Sequence, residues 1–127
     1  MPRDPHIPDA FDVYTVVVLR RPDDAPELSD DALDELQAQH LAYRAGLAEQ
    51  GLLVVNGPFG EQSDGSYRGM SVFACDLVEA ARLSDGDPSV AAGRLTYDVM
   101  EWWVGADSLA FPNAAQPVGD RRSMPED

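Results

Sequence analysis

The segment formed by residues 11–19 constrains the fold more than any other part of the sequence. It is rich in β-branched and aromatic residues, which favours a β-strand. One face of this strand presents Val13, Thr15, Val17 and Leu19, and the other presents Tyr14, Val16 and Val18. Because both faces are apolar, both have to be covered by another layer of the protein. We therefore expect a sheet with a packed layer on each side.

The rest of the chain supplies the elements for such a sheet. Ser29 is a good helix N-cap, and an apolar stripe with spacings of three and four residues follows it as far as residue 47. Three more segments predict strands, and these are residues 52–55, 70–74 and 95–104. Asp76 and Asp87 predict the N-caps of two short helices. The resulting β-α-β-β-α-β order is typical of an α+β, ferredoxin-like fold, in which the helices cover one face of a four-stranded antiparallel sheet.

This arrangement leaves the second face of the sheet without a cover. A second copy of the chain, packed sheet to sheet, would supply one, so we expect a homodimer formed through the sheet face. The domain itself is expected over residues 11–105. Residues 1–10, with three prolines, predict an irregular N-terminal arm, and residues 106–127 predict a C-terminal tail that is either disordered or laid over the surface. The tail is the alternative cover for the second sheet face.

Composition narrows the function. The 127 residues carry a formal net charge of −14, and all nine basic residues are arginines. A net negative charge of this size repels nucleic acid and anionic membrane surfaces, so we expect neither as a partner. The single cysteine, Cys75, excludes an internal disulfide framework. Neither a leader-like apolar start nor a membrane-length apolar run is present, which predicts a cytoplasmic protein.

His40 is the residue that most suggests chemistry. It lies on the apolar stripe of the predicted long helix, where a solvated face would not place it. Imidazole gains and loses a proton near neutral pH, which suits general acid–base catalysis. The alternative is a core histidine bonded to a backbone carbonyl. The acidic residues around Asp34 have no metal-ligand spacing relative to His40, so we expect no metal. The sequence has no GxGxxG or Walker motif, and we expect no other cofactor.

Four further residues could contribute to a binding site. Arg68 could hold a substrate carboxylate or phenolate, although a surface ion pair is its plainer role. Gly57 and Pro58 are expected to form a turn that borders the pocket. Tyr14 could line a cleft that accepts an aromatic ligand, and its alternative is a position in the core.

Four sequence pieces, taken in order, resemble a known family. The pieces are residues 40–41, residues 51–59 with Glu61, residues 68–69 with residues 79–80, and residues 87–93 followed by Trp102 and Trp103. Together they resemble the YCII-related (YciI-like) family of the dimeric α+β barrel proteins, over roughly residues 12–104. Residues 56–59 are also similar to the DGPF group, although Asn56 stands where that group has aspartate.

The resemblance implies a ferredoxin-like homodimer with a His–Asp pair, here His40 and Asp87, in a cleft between helix and sheet. One branch of the family is linked to dehydrochlorination of a chlorinated hydroxyhydroquinone. Distant relatives isomerise lactones, cleave small aromatic compounds or act as metal-free monooxygenases. We therefore expect a small cofactor-independent lyase or isomerase for a small aromatic or cyclic substrate. The alternative is a non-catalytic ligand-binding or regulatory module, because DGPF domains are often encoded beside alternative sigma factors.

Overall fold

The doubly apolar strand lies at the centre of the sheet. The computed structural model describes residues 4–123. Its elements are β1 (Ala10–Arg20), α1 (Asp30–Glu49), β2 (Leu53–Pro58), β3 (Tyr67–Phe73), α2 (Leu77–Asp85), α3 (Pro88–Ala91), β4 (Thr96–Gly105) and β5 (Asp120–Ser123). The order β2-β3-β1-β4, with every pair antiparallel, is that of the ferredoxin-like α+β fold. The sheet has a fifth strand, β5, in addition to the four expected.

The main core lies between the sheet and the helices. It contains the inward-facing side chains Val17 and Leu19 of β1 and Phe73 of β3, and Leu47 of α1 and Leu83 of α2 pack against them. Because side chains alternate along a strand, Tyr14 and Val16 point to the opposite face of the sheet. Both helices therefore cover one face, as the sequence predicts.

Helix α1 has the ends that its sequence predicts. The Ser29 hydroxyl accepts a hydrogen bond from the Ala32 N–H at 3.2 Å and caps the first turn. At the other end Gly51 has φ +77°, and the N–H of Leu52 donates to the carbonyl of Leu47 at 3.0 Å. This Schellman arrangement returns the chain directly into β2.

Strand β2 is longer than the sequence analysis predicts. Asn56, Gly57 and Pro58 pair with Ser71, Met70 and Gly69 of β3, so they are not a turn. Proline lacks an N–H group, which is tolerated here because β2 is an edge strand. A Cβ added at Gly69 would lie 2.9 Å from the Gly57 carbonyl oxygen, so this strand pair needs glycine at residue 69.

The C-terminal tail covers part of the second sheet face. β5 pairs with residues 10–13 of β1, along the stretch of that edge which β3 leaves free. Before it, Phe111 and Val118 pack against the cluster that contains Tyr14. The first three residues of the predicted arm and the last four of the predicted tail lie outside the described residues.

The tail leaves other apolar side chains of this face open to solvent. Met100 and Trp102 lie opposite Val16 and Tyr14 in the β1–β4 ladder, and each is 41% exposed. Trp103 points to the helix-covered face, where its ring lies 5.5 Å from that of Phe11. Between residues 4 and 123, no helix has the length and apolar character needed to cross a membrane.

Candidate active site

His40 and Asp87 meet at the junction of α1 and α3. The His40 Nδ1 atom lies 2.9 Å from Oδ1 and 2.8 Å from Oδ2 of Asp87. The Asp87 side chain has no exposed surface, and the His40 side chain is 12% exposed. The carboxylate therefore fixes the ring from the protein side, and the small exposed part of the ring faces the solvent.

Asp87 also begins helix α3. Its Oδ1 accepts a hydrogen bond from the Ser89 N–H at 3.0 Å, and Pro88 occupies the first helical turn. A buried carboxylate is costly unless charged or polar groups surround it. Here the cap and the orientation of His40 use the same carboxylate, which has two oxygens to share between them.

Arg44 supplies the positive charge beside this carboxylate. It is buried, and its Nη1 atom lies 3.6 Å from Asp87 Oδ2. Its Nη2 group donates to the Ser71 hydroxyl and to Asn56 Oδ1, the latter at 3.2 Å. Burial lowers the pKa of Arg44, and the charge of Asp87 opposes that shift. A buried cation thus balances the buried anion that holds His40.

An open cleft of about 600 Å³ lies in front of His40. Helix α1, strands β2 and β3 and the segment before β4 form its walls. Its apolar lining is Leu19, Leu33, Leu36, Leu41, Pro58, Phe59 and Leu95. Polar groups make up about half of its lining, and its volume is within the range of small-molecule sites.

The cleft brings together four of the six predicted site residues. His40, Gly57, Pro58 and Arg68 all line it, and Asp87 lies directly behind His40. Tyr14 does not belong to it, which corrects the sequence analysis. Tyr14 lies on the outer face of the sheet, the face opposite the helices, where its ring packs 5.4 Å from that of Phe111.

Several polar residues of this site are missing from the sequence analysis. Arg44 follows His40 by four residues and therefore shares its helix face, a spacing that could have identified it. Ser71 lies on the inner face of β3, two residues before Phe73, and this spacing is a weaker signal. Arg21 and Arg94 also line the cleft, and only the fold brings them there.

The geometry suits one tautomer of the neutral ring. Because a carboxylate accepts hydrogen bonds, the Nδ1 atom of neutral His40 carries the proton and donates it to Asp87. The lone pair is then on Nε2, the nitrogen on the far side of the ring from Asp87. In residues 4–123, no three His, Cys, Asp or Glu side chains cluster closely enough to hold a metal ion.

Comparison with known proteins identifies the family. No curated protein sequence matches the chain significantly. One similar solved structure is 5-chloro-2-hydroxyhydroquinone dehydrochlorinase from Burkholderia phenoliruptrix AC1100, in complex with 2,5-dihydroxybenzoquinone. It is 23% identical, has a TM-score of 0.46, and the match covers 71% of this chain and 92% of that one. The family model described as YCII-related domain matches residues 14–103. The chain therefore belongs to the YCII-related family.

Proposed function

We propose that this protein is a small-molecule enzyme of the lyase or isomerase type, in which His40 transfers a proton and Asp87 holds the imidazole ring of His40 in position. The observation that carries the proposal is the 2.8 Å contact between His40 Nδ1 and a fully buried carboxylate, at the wall of an open cleft. A histidine with a purely structural role needs neither the carboxylate nor the cleft.

The proposed chemistry begins with the substrate bound in the cleft. Nε2 of neutral His40 accepts a proton from a C–H or O–H group of the substrate, and the electron pair of that bond stays on the substrate. Asp87 stabilises the imidazolium that forms. The same Nε2 then returns the proton to another substrate atom in an isomerisation, or to the departing group in an elimination. Arg68, on the cleft wall, stabilises negative charge that develops on a substrate oxygen.

The alternative is a binding or regulatory module that uses the cleft without catalysis. Such a module would be favoured by a closed pocket and a histidine bonded to a backbone carbonyl. The observed cleft is open and the histidine partner is a carboxylate, and both features favour the enzyme.

The test exploits the two histidines of the chain. His40→Asn and His6→Asn are compared with the wild type in D2O, against a panel of ring-bearing acids, lactones and halogenated phenols monitored by NMR. His6 is a matched control, because it also contacts an aspartate, Asp4, but is fully solvated. We expect a compound that the wild type converts or deuterates, at a rate reduced about 100-fold or more by His40→Asn and unchanged by His6→Asn. Equal turnover by His40→Asn and the wild type would contradict the proposal.

A further inference from the structure

The arginines of this protein divide into two groups by their partners. Five have a carboxylate oxygen within 4 Å, and these are Arg20, Arg44, Arg82, Arg121 and Arg122. Arg3 lies outside the described residues. The remaining three, Arg21, Arg68 and Arg94, have no such partner within residues 4–123, and all three line the cleft of His40.

This concentration of unpaired cations needs an explanation in a chain of net charge −14. Arg21 follows β1, Arg68 lies in β3 and Arg94 precedes β4, so the fold brings them together from distant positions. The pKa of Arg21 is lowered, mainly by burial and to a smaller extent by the positive charges of Arg68 and Arg94. Arg68 and Arg94 therefore both repel the guanidinium group of Arg21, and a bound anion would relieve that repulsion.

Two of these arginines have further features: a hydrogen bond holds Arg94 in place, and one N–H group of Arg21 lacks a hydrogen-bond partner. Arg94 donates from Nη1 to the Pro26 carbonyl at 2.9 Å, which fixes its position beside the cleft. The Nε atom of Arg21 is buried and has no hydrogen-bond partner in the described part of the chain. A buried donor without a partner is uncommon in folded proteins, and a bound ion is one of the explanations for it.

The charge of the cleft suggests the charge of its ligand. Asp34 is the single carboxylate among the lining residues described, against the three arginines. The wall therefore keeps about two positive charges in excess, and guanidinium groups bind carboxylates in a bidentate manner. Leu33, Leu36 and Phe59 provide an apolar surface beside these charges.

We infer that the cleft binds a small organic dianion, with an apolar ring or body against the leucines and two carboxylate groups on Arg21, Arg68 and Arg94. That this dianion is the substrate rests on the proposed function, whereas its binding does not. An inorganic anion would leave the apolar wall unused, so the organic body is part of the inference.

The test measures binding by calorimetry with four probes, at about 20 mM salt so that charge attraction is not screened. Phthalate carries two carboxylates on a ring, benzoate carries one, benzamide is neutral, and inorganic phosphate has no apolar body. We expect phthalate to bind most tightly, about 10-fold or more above benzamide, and Arg68→Gln or Arg94→Gln to weaken phthalate about 10-fold. Arg82 is the matched control, because it is an exposed arginine on α2 that pairs with Glu79. Arg82→Gln should leave the affinity for phthalate unchanged.

Arg68 is exposed, so its replacement leaves the core intact even if Arg94→Gln perturbs the fold. Phthalate binding no tighter than benzamide would overturn the inference, as would equal affinities of Arg68→Gln and Arg82→Gln. Phosphate binding as tight as that of phthalate would overturn the inference that the ligand has an organic body. Anion binding without any His40-dependent turnover would support this inference and reject the proposed function, and the reverse pattern would reject this inference alone.

Discussion

Nδ1 of His40 and Oδ2 of Asp87 lie 2.8 Å apart, although one residue is within the longest helix and the other caps the shortest. The carboxylate serves as helix cap and as ring partner, and the two roles can be separated experimentally. Asparagine caps a helix as well as aspartate does, but it carries no charge to stabilise an imidazolium.

Asp87→Asn should therefore lower kcat of the His40-dependent reaction by about 100-fold or more, with a smaller effect on KM. Asp76→Asn is the matched control, because Asp76 caps α2 in the same way, with its Oδ1 2.8 Å from the Glu79 N–H. Steady-state kinetics of both variants provide the measurement. An Asp87→Asn variant with the kcat of the wild type would show that Asp87 is a cap and nothing more.

The buried charge of Arg44 predicts a change in stability. Arg44→Met keeps the volume of the side chain but leaves Asp87 buried beside a neutral imidazole. Removing one partner of a buried ion pair lowers the free energy of unfolding by about 3–5 kcal/mol, which urea denaturation would measure. The double variant Arg44→Met/Asp87→Asn should recover part of that loss, because no unpaired charge remains. An exposed pair is the control, since Arg82→Met should unfold at the same urea concentration as the wild type. Equal stability of Arg44→Met would contradict a charge-balancing role.

Local signals account for the elements that the sequence predicts well. Strand β1 is a long run of β-branched and aromatic residues, and helix α1 has an apolar stripe and an N-cap at Ser29, so each is encoded by residues close together in the sequence. Strand β5 has the sequence Asp-Arg-Arg-Ser, which carries no β-branched residue and no alternation. It forms because β1 has an unpaired edge there and because Arg121 reaches Asp107 at 2.7 Å. Such a strand depends on tertiary contacts and cannot be found from local pattern.

The candidate site divides in the same way. His40 was identifiable because a histidine on an apolar stripe is unusual, and the resemblance supplied Asp87 as its partner. Arg21 and Arg94 gave no signal, because each lies at the end of a strand where an arginine is ordinary. Tyr14 suggests a cleft residue because its ring could contact an aromatic ligand, but both faces of β1 are apolar and the sequence does not indicate which of them the helices cover.

Cys75 predicts a pH-dependent reactivity. Burial, more than the neighbouring carboxylates of Glu79 and Asp76, raises its pKa from 9.0 to about 11. Between pH 9 and about pH 11 the folded chain therefore keeps the thiol proton that the unfolded chain loses. The thiol thus stabilises the fold below pH 9, and this stabilisation is lost as the pH rises to about 11. At pH 8 the folded chain holds roughly 100-fold less thiolate, and alkylation by iodoacetamide should be slower by a similar factor than in urea. The folded rate should rise up to about pH 11. Equal rates in the two states at pH 8 would contradict the burial of the thiol.

The outer sheet face predicts the oligomeric state. The tail covers Tyr14 but leaves Met100, Trp102 and Val55 at least 41% exposed. An apolar surface of this kind is unfavourable in water, and a second copy packed against it would bury it. We therefore propose a homodimer through this remaining face, to be measured by sedimentation at about micromolar concentration. Trp102→Glu should produce monomers, whereas Val78→Glu, an exposed position on α2 at the other side of the sheet, should not. A wild-type monomer that dimerises only after removal of residues 106–127 would instead identify the tail as the occupant of the dimer surface.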